Sequence, residues 1–112
     1  MTIGGAINLP KFDNNYYAFT YKRNMKVSEV LNCTKEDYRL AFDVIQQNED
    51  CLGIRFVYYE KDSKGQIHCH GMAMFKKEPR YKSLTVRGFT SRWRRVYDYA
   101  GWESYFRKKS KI

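Results

Sequence analysis

The feature that most restricts what this chain can fold into is a pair of β-forming runs set around a turn. Cys51 to Glu60 is rich in Ile, Phe, Val and Tyr, Ile67 to Phe75 is largely apolar, and Lys61-Asp62-Ser63-Lys64-Gly65 lies between them. β-Branched and aromatic side chains suit a half-buried pleat, and a polar break ending in glycine turns one strand back on the next. The two runs predict an antiparallel hairpin, which Pro79 ends. Before it, Tyr16 to Lys22 alternates as a first strand with Tyr17, Phe19 and Tyr21 on one side. Thr34 to Asn48 predicts a helix. Thr34 is its N-cap with Asp37 three residues on, and Tyr38, Ala41, Phe42 and Ile45 recur on one apolar face that reads as core.

After the hairpin, Ser83 to Phe89 and Trp93 to Tyr97 are two further strand candidates. Asp98 is placed to cap a last helix running through Trp102, Tyr105 and Phe106 into Lys108-Lys109, although Gly101 inside it lowers helix propensity. Residues 1–14, with Gly4-Gly5 and Pro10, read as a lead-in. The order strand, helix, hairpin, strands, helix predicts an α+β fold: an antiparallel sheet of about five strands with helices packed on one face.

A length of 112 residues makes one domain, and a hydrophobic fraction of 43% supplies a core and argues against disorder. No apolar run reaches the length of a membrane span, and no signal sequence opens the chain. Cys33, Cys51 and Cys69 are an odd set without CxxC spacing. They indicate neither a disulfide framework nor a thiolate zinc site, and free thiols fit a reducing, intracellular setting. The net charge of +9 is lopsided. Nine Lys/Arg and nine Asp/Glu cancel from Met1 to Phe75, whereas twelve Lys/Arg face only Glu78, Asp98 and Glu103 from Lys76 onward. A solvated face and an anionic membrane are open readings of that excess. The interleaving in Arg92-Trp93-Arg94-Arg95-Val96-Tyr97, in a chain with ten Tyr, favours nucleic acid, with Arg92, Arg94, Arg95 and Lys109 as candidate phosphate contacts.

His68 and His70 are two apart on the second hairpin strand, so both imidazoles leave one face while Cys69 points to the other. A pair of imidazoles suits a divalent transition metal or is simply an exposed pair. Glu60 ends the preceding strand, and the hairpin brings its carboxylate back toward them. Two His and one carboxylate leave coordination positions open for catalysis, and the mixed nitrogen and oxygen set suits Mn²⁺, or Mg²⁺ less comfortably. Tyr105 is followed by Lys108 and Lys109 at helical spacings that place an ammonium beside the phenol.

Glu60, the His68-Cys69-His70 strand and Tyr105-Phe106-Arg107-Lys108, in this order, resemble the HUH endonucleases, most of all the replication initiators of small circular single-stranded DNA viruses. Phe19-Thr20 is similar to that family's first motif, although Tyr21-Lys22-Arg23 departs from its asparagine-containing continuation. The resemblance spans Phe19 to Lys108 and implies an HUH fold, related in its sheet to the RNA-recognition motif. It implies metal ligands at Glu60, His68 and His70, Tyr105 as nucleophile and Lys108 as its helper. It further implies nicking of single-stranded origin DNA, a 5′-phosphotyrosine intermediate with a free 3′-OH, and rejoining. Close members of the family carry a helicase domain after this one, so the chain is expected to be an excised domain or a short initiator. A helicase domain or host replication proteins are its expected partners, and the host nucleus its expected location in a eukaryotic host. Tyr97 and Tyr99 are possible second tyrosines. The rival reading is a non-enzymatic RNA-binding module, with Lys64 to Gly71 as its central strand; a third is a structural histidine–metal site.

Overall fold

The computed structural model describes residues 15–110. The lead-in assigned to residues 1–14 lies outside them. Four strands, β1 (Tyr16–Arg23), β2 (Cys51–Lys61), β3 (Ile67–Phe75) and β4 (Phe89–Arg95), form one antiparallel sheet in the order β2-β3-β1-β4. Two helices, α1 (Arg39–Gln47) and α2 (Tyr99–Ser110), accompany it, with short 3-10 segments at Val27–Asn32, Lys35–Tyr38 and Tyr81–Leu84. Among the described residues no helix is long and apolar enough to cross a membrane.

The hairpin forms as its sequence predicts. Asp62 shapes the turn: its Oδ1 accepts from the N–H groups of Lys64 at 2.9 Å and Gln66 at 3.0 Å, and Gly65 takes the left-handed φ of 86° that closes it. The predicted caps also hold. Asp37 Oδ2 accepts from the Thr34 N–H at 2.8 Å, and Asp98 Oδ1 accepts from the Gly101 N–H at 3.1 Å. The Thr34 segment opens as a 3-10 turn before α1, where the Tyr38 hydroxyl donates to the Ile67 carbonyl and accepts from the Arg23 N–H.

Four expectations are corrected. Among the described residues the sheet has four strands rather than about five. Ser83 to Phe89 is not a strand, because the Ser83 and Thr85 hydroxyls donate to the Arg80 and Lys82 carbonyls and hold a 3-10 turn in place of a ladder. The next strand runs from Phe89 to Arg95, earlier than Trp93 to Tyr97. Nor do the helices share one face. β1 is central, and its alternate side chains belong to two cores. Tyr17, Phe19 and Tyr21 pack with Tyr38, Ala41 and Ile45 of the α1 side, while Tyr16 and Ala18 pack with Tyr58, Met72, Val96 and Phe106 of the α2 side. The sheet is thus covered by α1 on one face and by α2 on the other.

A bulge in β2 decides which residues face α2. Arg55 lies opposite Met72 and Tyr58 opposite His70, so β2 spends three residues where β3 spends two. Phe56 absorbs the extra residue at a φ of 58°, a conformation rare for a bulky side chain. This resets the alternation and turns Tyr58 and Glu60 toward α2.

Two carboxylates link this frame to pH. The Thr34 N–H and the Arg23 guanidinium, 2.8 Å away, hold the Asp37 carboxyl below its usual range against some burial. Burial raises the Asp62 carboxyl, but the Gln66 and Lys64 N–H groups and His68 outweigh it and leave it lowered. Both groups bind protons more weakly folded than unfolded, so their stabilisation is complete above the ordinary Asp value of about 3.9 and is lost as pH falls through the lowered folded values. Thermal melts are expected to show the midpoint dropping as pH falls below about 4, with Asp37→Asn removing part of that slope.

Candidate active site

The α2 face of the sheet and helix α2 enclose a cleft of about 510 Å³, lined by Ala18, Thr20, Tyr58, Glu60, His70, Arg92, Arg94, Trp102 and Tyr105, among others. Register builds its floor. Arg92 pairs with Thr20, Thr20 with His70, and His70 with Tyr58, so one row of side chains crosses all four strands. Glu60 pairs with His68 in the next row.

His70 is the most constrained group. Its Nδ1 lies 3.0 Å from Thr20 Oγ1, and Tyr58 stacks on the ring at 4.7 Å and 19°. Its Nε2 is buried without a hydrogen-bond partner and faces Glu60 Oε1 at 3.5 Å. Burial lowers the imidazole pKa, opposed by Glu60 and aided by His68 and Lys109, which favours the neutral ring with one N–H and one lone pair. The other Glu60 oxygen lies 3.2 Å from Lys109 Nζ, and this contact raises the lysine pKa. Burial, the Tyr105 phenol and the Glu60 carboxylate all push the Tyr58 phenol up.

The predicted metal set comes together only in part. Glu60 and His70 face each other across the gap at Nε2, and an orphaned, neutral nitrogen beside a carboxylate is the donor chemistry that a divalent cation takes. His68 shares their face, but its Nε2 is on Asp62 Oδ2 at 2.9 Å. Among the described residues no three His, Cys, Asp or Glu side chains converge as a ready metal site. Glu60 and His70 alone are thus an incomplete ligand set, which His68 could extend only by giving up its contact with Asp62.

Tyr105 lies on α2 at the mouth of this cleft, 46% exposed, its ring edge-on to Trp102 and Phe106. Neither lysine lines the cleft, but Lys109 touches its residues: its ammonium lies 3.2 Å from Glu60 Oε2 and 5.6 Å from the centre of the Tyr105 ring, whereas Lys108 is exposed. Arg92 and Arg94 line the cleft. Arg95 pairs with Tyr17 and sits 5.6 Å from the Tyr97 ring, on the α1 face, because a strand alternates and adjacent arginines cannot share a side. Trp93 is half-buried and packs on the α1-side core against Phe19, away from the cleft; Trp102 is the indole in the cleft. Tyr97 and Tyr99 stay outside the cleft lining, Tyr99 being engaged with Arg55 at 2.7 Å. Tyr58 was detectable by its position two residues before Glu60; Thr20 acquires meaning only from its register with His70. Compared with protein-family models, curated proteins and solved structures, the chain matches none of them.

Proposed function

We propose that this chain is a metal-dependent endonuclease that nicks single-stranded DNA and becomes joined to it through Tyr105. The observation that carries the reading is the unpartnered, buried Nε2 of His70 facing the Glu60 carboxylate at 3.5 Å, in the cleft that also receives a half-exposed tyrosine. A divalent cation bound there, Mn²⁺ or Mg²⁺, would polarise a phosphodiester. The chain's own groups supply the rest. Arg92 and Arg94 hold flanking phosphates along the sheet, and Trp102 offers a base a stacking surface. The Tyr105 oxygen attacks phosphorus: an O–P bond forms, the bond from phosphorus to the 3′-oxygen breaks, and a 5′-phosphotyrosine results. The phenol proton leaves to water through the open mouth, and the departing 3′-oxygen takes one up, so the step is proton-neutral. Lys109 lies close enough to balance charge on the phenolate. The 3′-OH can then prime synthesis or attack the phosphotyrosine and rejoin the strand. On this reading the DNA is an origin-type single strand or stem-loop, and a helicase domain or host replication proteins act beside the chain.

Incubation with origin-like single-stranded oligonucleotides and Mn²⁺ tests it. A denaturation-resistant DNA adduct is expected with the wild type and not after EDTA or in Tyr105→Phe. RNA binding that needs no metal, with no adduct to DNA, would support the binding-module alternative instead.

The two lysines make a second prediction. Lys109→Ala is expected to slow adduct formation yet tighten Mn²⁺ binding by about two- to fivefold, since it removes a like charge beside Glu60 in a solvent-screened position. Lys108→Ala should leave both within about twofold. Titration of free Mn²⁺ by its paramagnetic resonance signal, alongside adduct gels, separates the two lysines.

A further inference from the structure

The His70 ring is held in place by its neighbours, so the variable left to it is which nitrogen carries the proton. Tyr58 stacks on one side, Thr20 Oγ1 lies 3.0 Å from Nδ1, and Nε2 faces Glu60 without a hydrogen-bond partner. A neutral imidazole has one N–H donor and one lone pair, and the partner of one nitrogen fixes the role of the other. A backbone carbonyl or a carboxylate against Nδ1 would demand a proton there permanently. A hydroxyl makes no such demand, because it donates or accepts by turning about its C–O bond.

We infer that Thr20 is a positioning residue whose hydroxyl lets His70 exchange tautomers when a divalent cation binds at Nε2. Without the cation, the Thr20 O–H donates to Nδ1 and the Nε2–H points at Glu60 Oε1. With the cation, Nε2 presents its lone pair, the proton is carried on Nδ1, and Nδ1–H donates to Thr20 Oγ1. One proton leaves Nε2 and one is gained at Nδ1, so the ring stays neutral throughout. The hydroxyl is in reach because β1 and β3 are adjacent and Thr20 is the direct cross-strand partner of His70. This inference rests on the metal reading proposed above.

The test uses Thr20→Val, which keeps the β-branched shape and removes the hydroxyl, and Thr20→Ser, which restores it. In Thr20→Val the metal-bound ring has a part-buried Nδ1–H with no acceptor, and Mn²⁺ affinity is expected to fall about 10- to 100-fold, with Thr20→Ser close to wild type. The chain has only two histidines, so ¹⁵N shifts of the imidazoles are assignable with one His→Ala variant each. The wild-type His70 proton should be on Nε2 without metal and on Nδ1 with diamagnetic Zn²⁺. Equal Mn²⁺ affinity in Thr20→Val, an unchanged tautomer on Zn²⁺ addition, or a loss that Thr20→Ser does not repair would overturn the role of the hydroxyl. If His70→Ala binds Mn²⁺ as tightly as wild type, the metal reading itself falls and this inference falls with it.

Discussion

His70→Ala lowers Mn²⁺-dependent adduct formation by about a hundredfold or more, whereas His68→Ala lowers it by about tenfold or less. The two imidazoles share a strand and a face, and the resemblance to HUH endonucleases treats them as equivalent ligands. Their surroundings are not equivalent. His70 lies in the cleft with an unpartnered Nε2 directed at Glu60, while His68 has committed its Nε2 to Asp62 at 2.9 Å. Asp62 is in turn the residue that shapes the hairpin turn, so the His68 contact is part of the turn as well as adjacent to the site. Losing Lewis-acid polarisation removes several kcal/mol of transition-state stabilisation, and about 1.4 kcal/mol corresponds to tenfold in rate. Single-turnover adduct formation over a series of Mn²⁺ concentrations checks this. Equal losses for the two variants would mean that His68 leaves Asp62 for the cation as readily as His70 accepts it.

Gly71→Ala is the substitution expected to cost most stability for its size. The Phe19 ring lies over Gly71, its direct partner across β1 and β3, and an added Cβ would overlap the ring. Phe19 is buried in the α1-side core and packs on Trp93 and Tyr21, so it has little room to retreat. Overpacking of this kind costs about 1–3 kcal/mol, which lowers the melting temperature by roughly 5–20 °C in a domain this small. The effect should shrink in a Phe19→Leu background, and that non-additivity assigns the cost to the ring. His70 precedes Gly71 on β3 and pairs with Thr20, which follows Phe19 on β1, so the displaced ring also disturbs the Thr20–His70 contact. A melting temperature unchanged by Gly71→Ala would contradict this packing.

How much was legible in the sequence follows from which interactions are local. The hairpin was legible because its turn is built from its own residues, and the caps at Asp37 and Asp98 because each is complete within four residues. The α1 core face was legible because helical spacing alone defines it. The placing of α2 on the opposite face was not, since it depends on β1 being central and buried on both sides. Glu60 and His70 were identified as candidates from their types and from the hairpin. The bulge at Phe56, which sets the facing of Tyr58 and Glu60, carries no sequence signal, because such a φ is usually marked by glycine and here it falls on phenylalanine. Arg95 was grouped with Arg92 and Arg94 by charge, yet strand alternation sends it to the other face. Lys108 was selected by motif spacing. The turn of α2 instead brings Lys109 to Glu60, 49 residues away, a contact that no local pattern encodes.

The most direct test of the central claim is the site of covalent attachment. Wild-type protein is reacted with a single-stranded oligonucleotide in Mn²⁺, digested with nuclease and protease, and its peptides are sequenced by mass spectrometry. The account predicts a phosphodeoxynucleotide on Tyr105, and none when Tyr105→Phe is treated alike. A nucleotide on Tyr58, or on any other tyrosine of the wild type, or an adduct that persists in Tyr105→Phe, would contradict it.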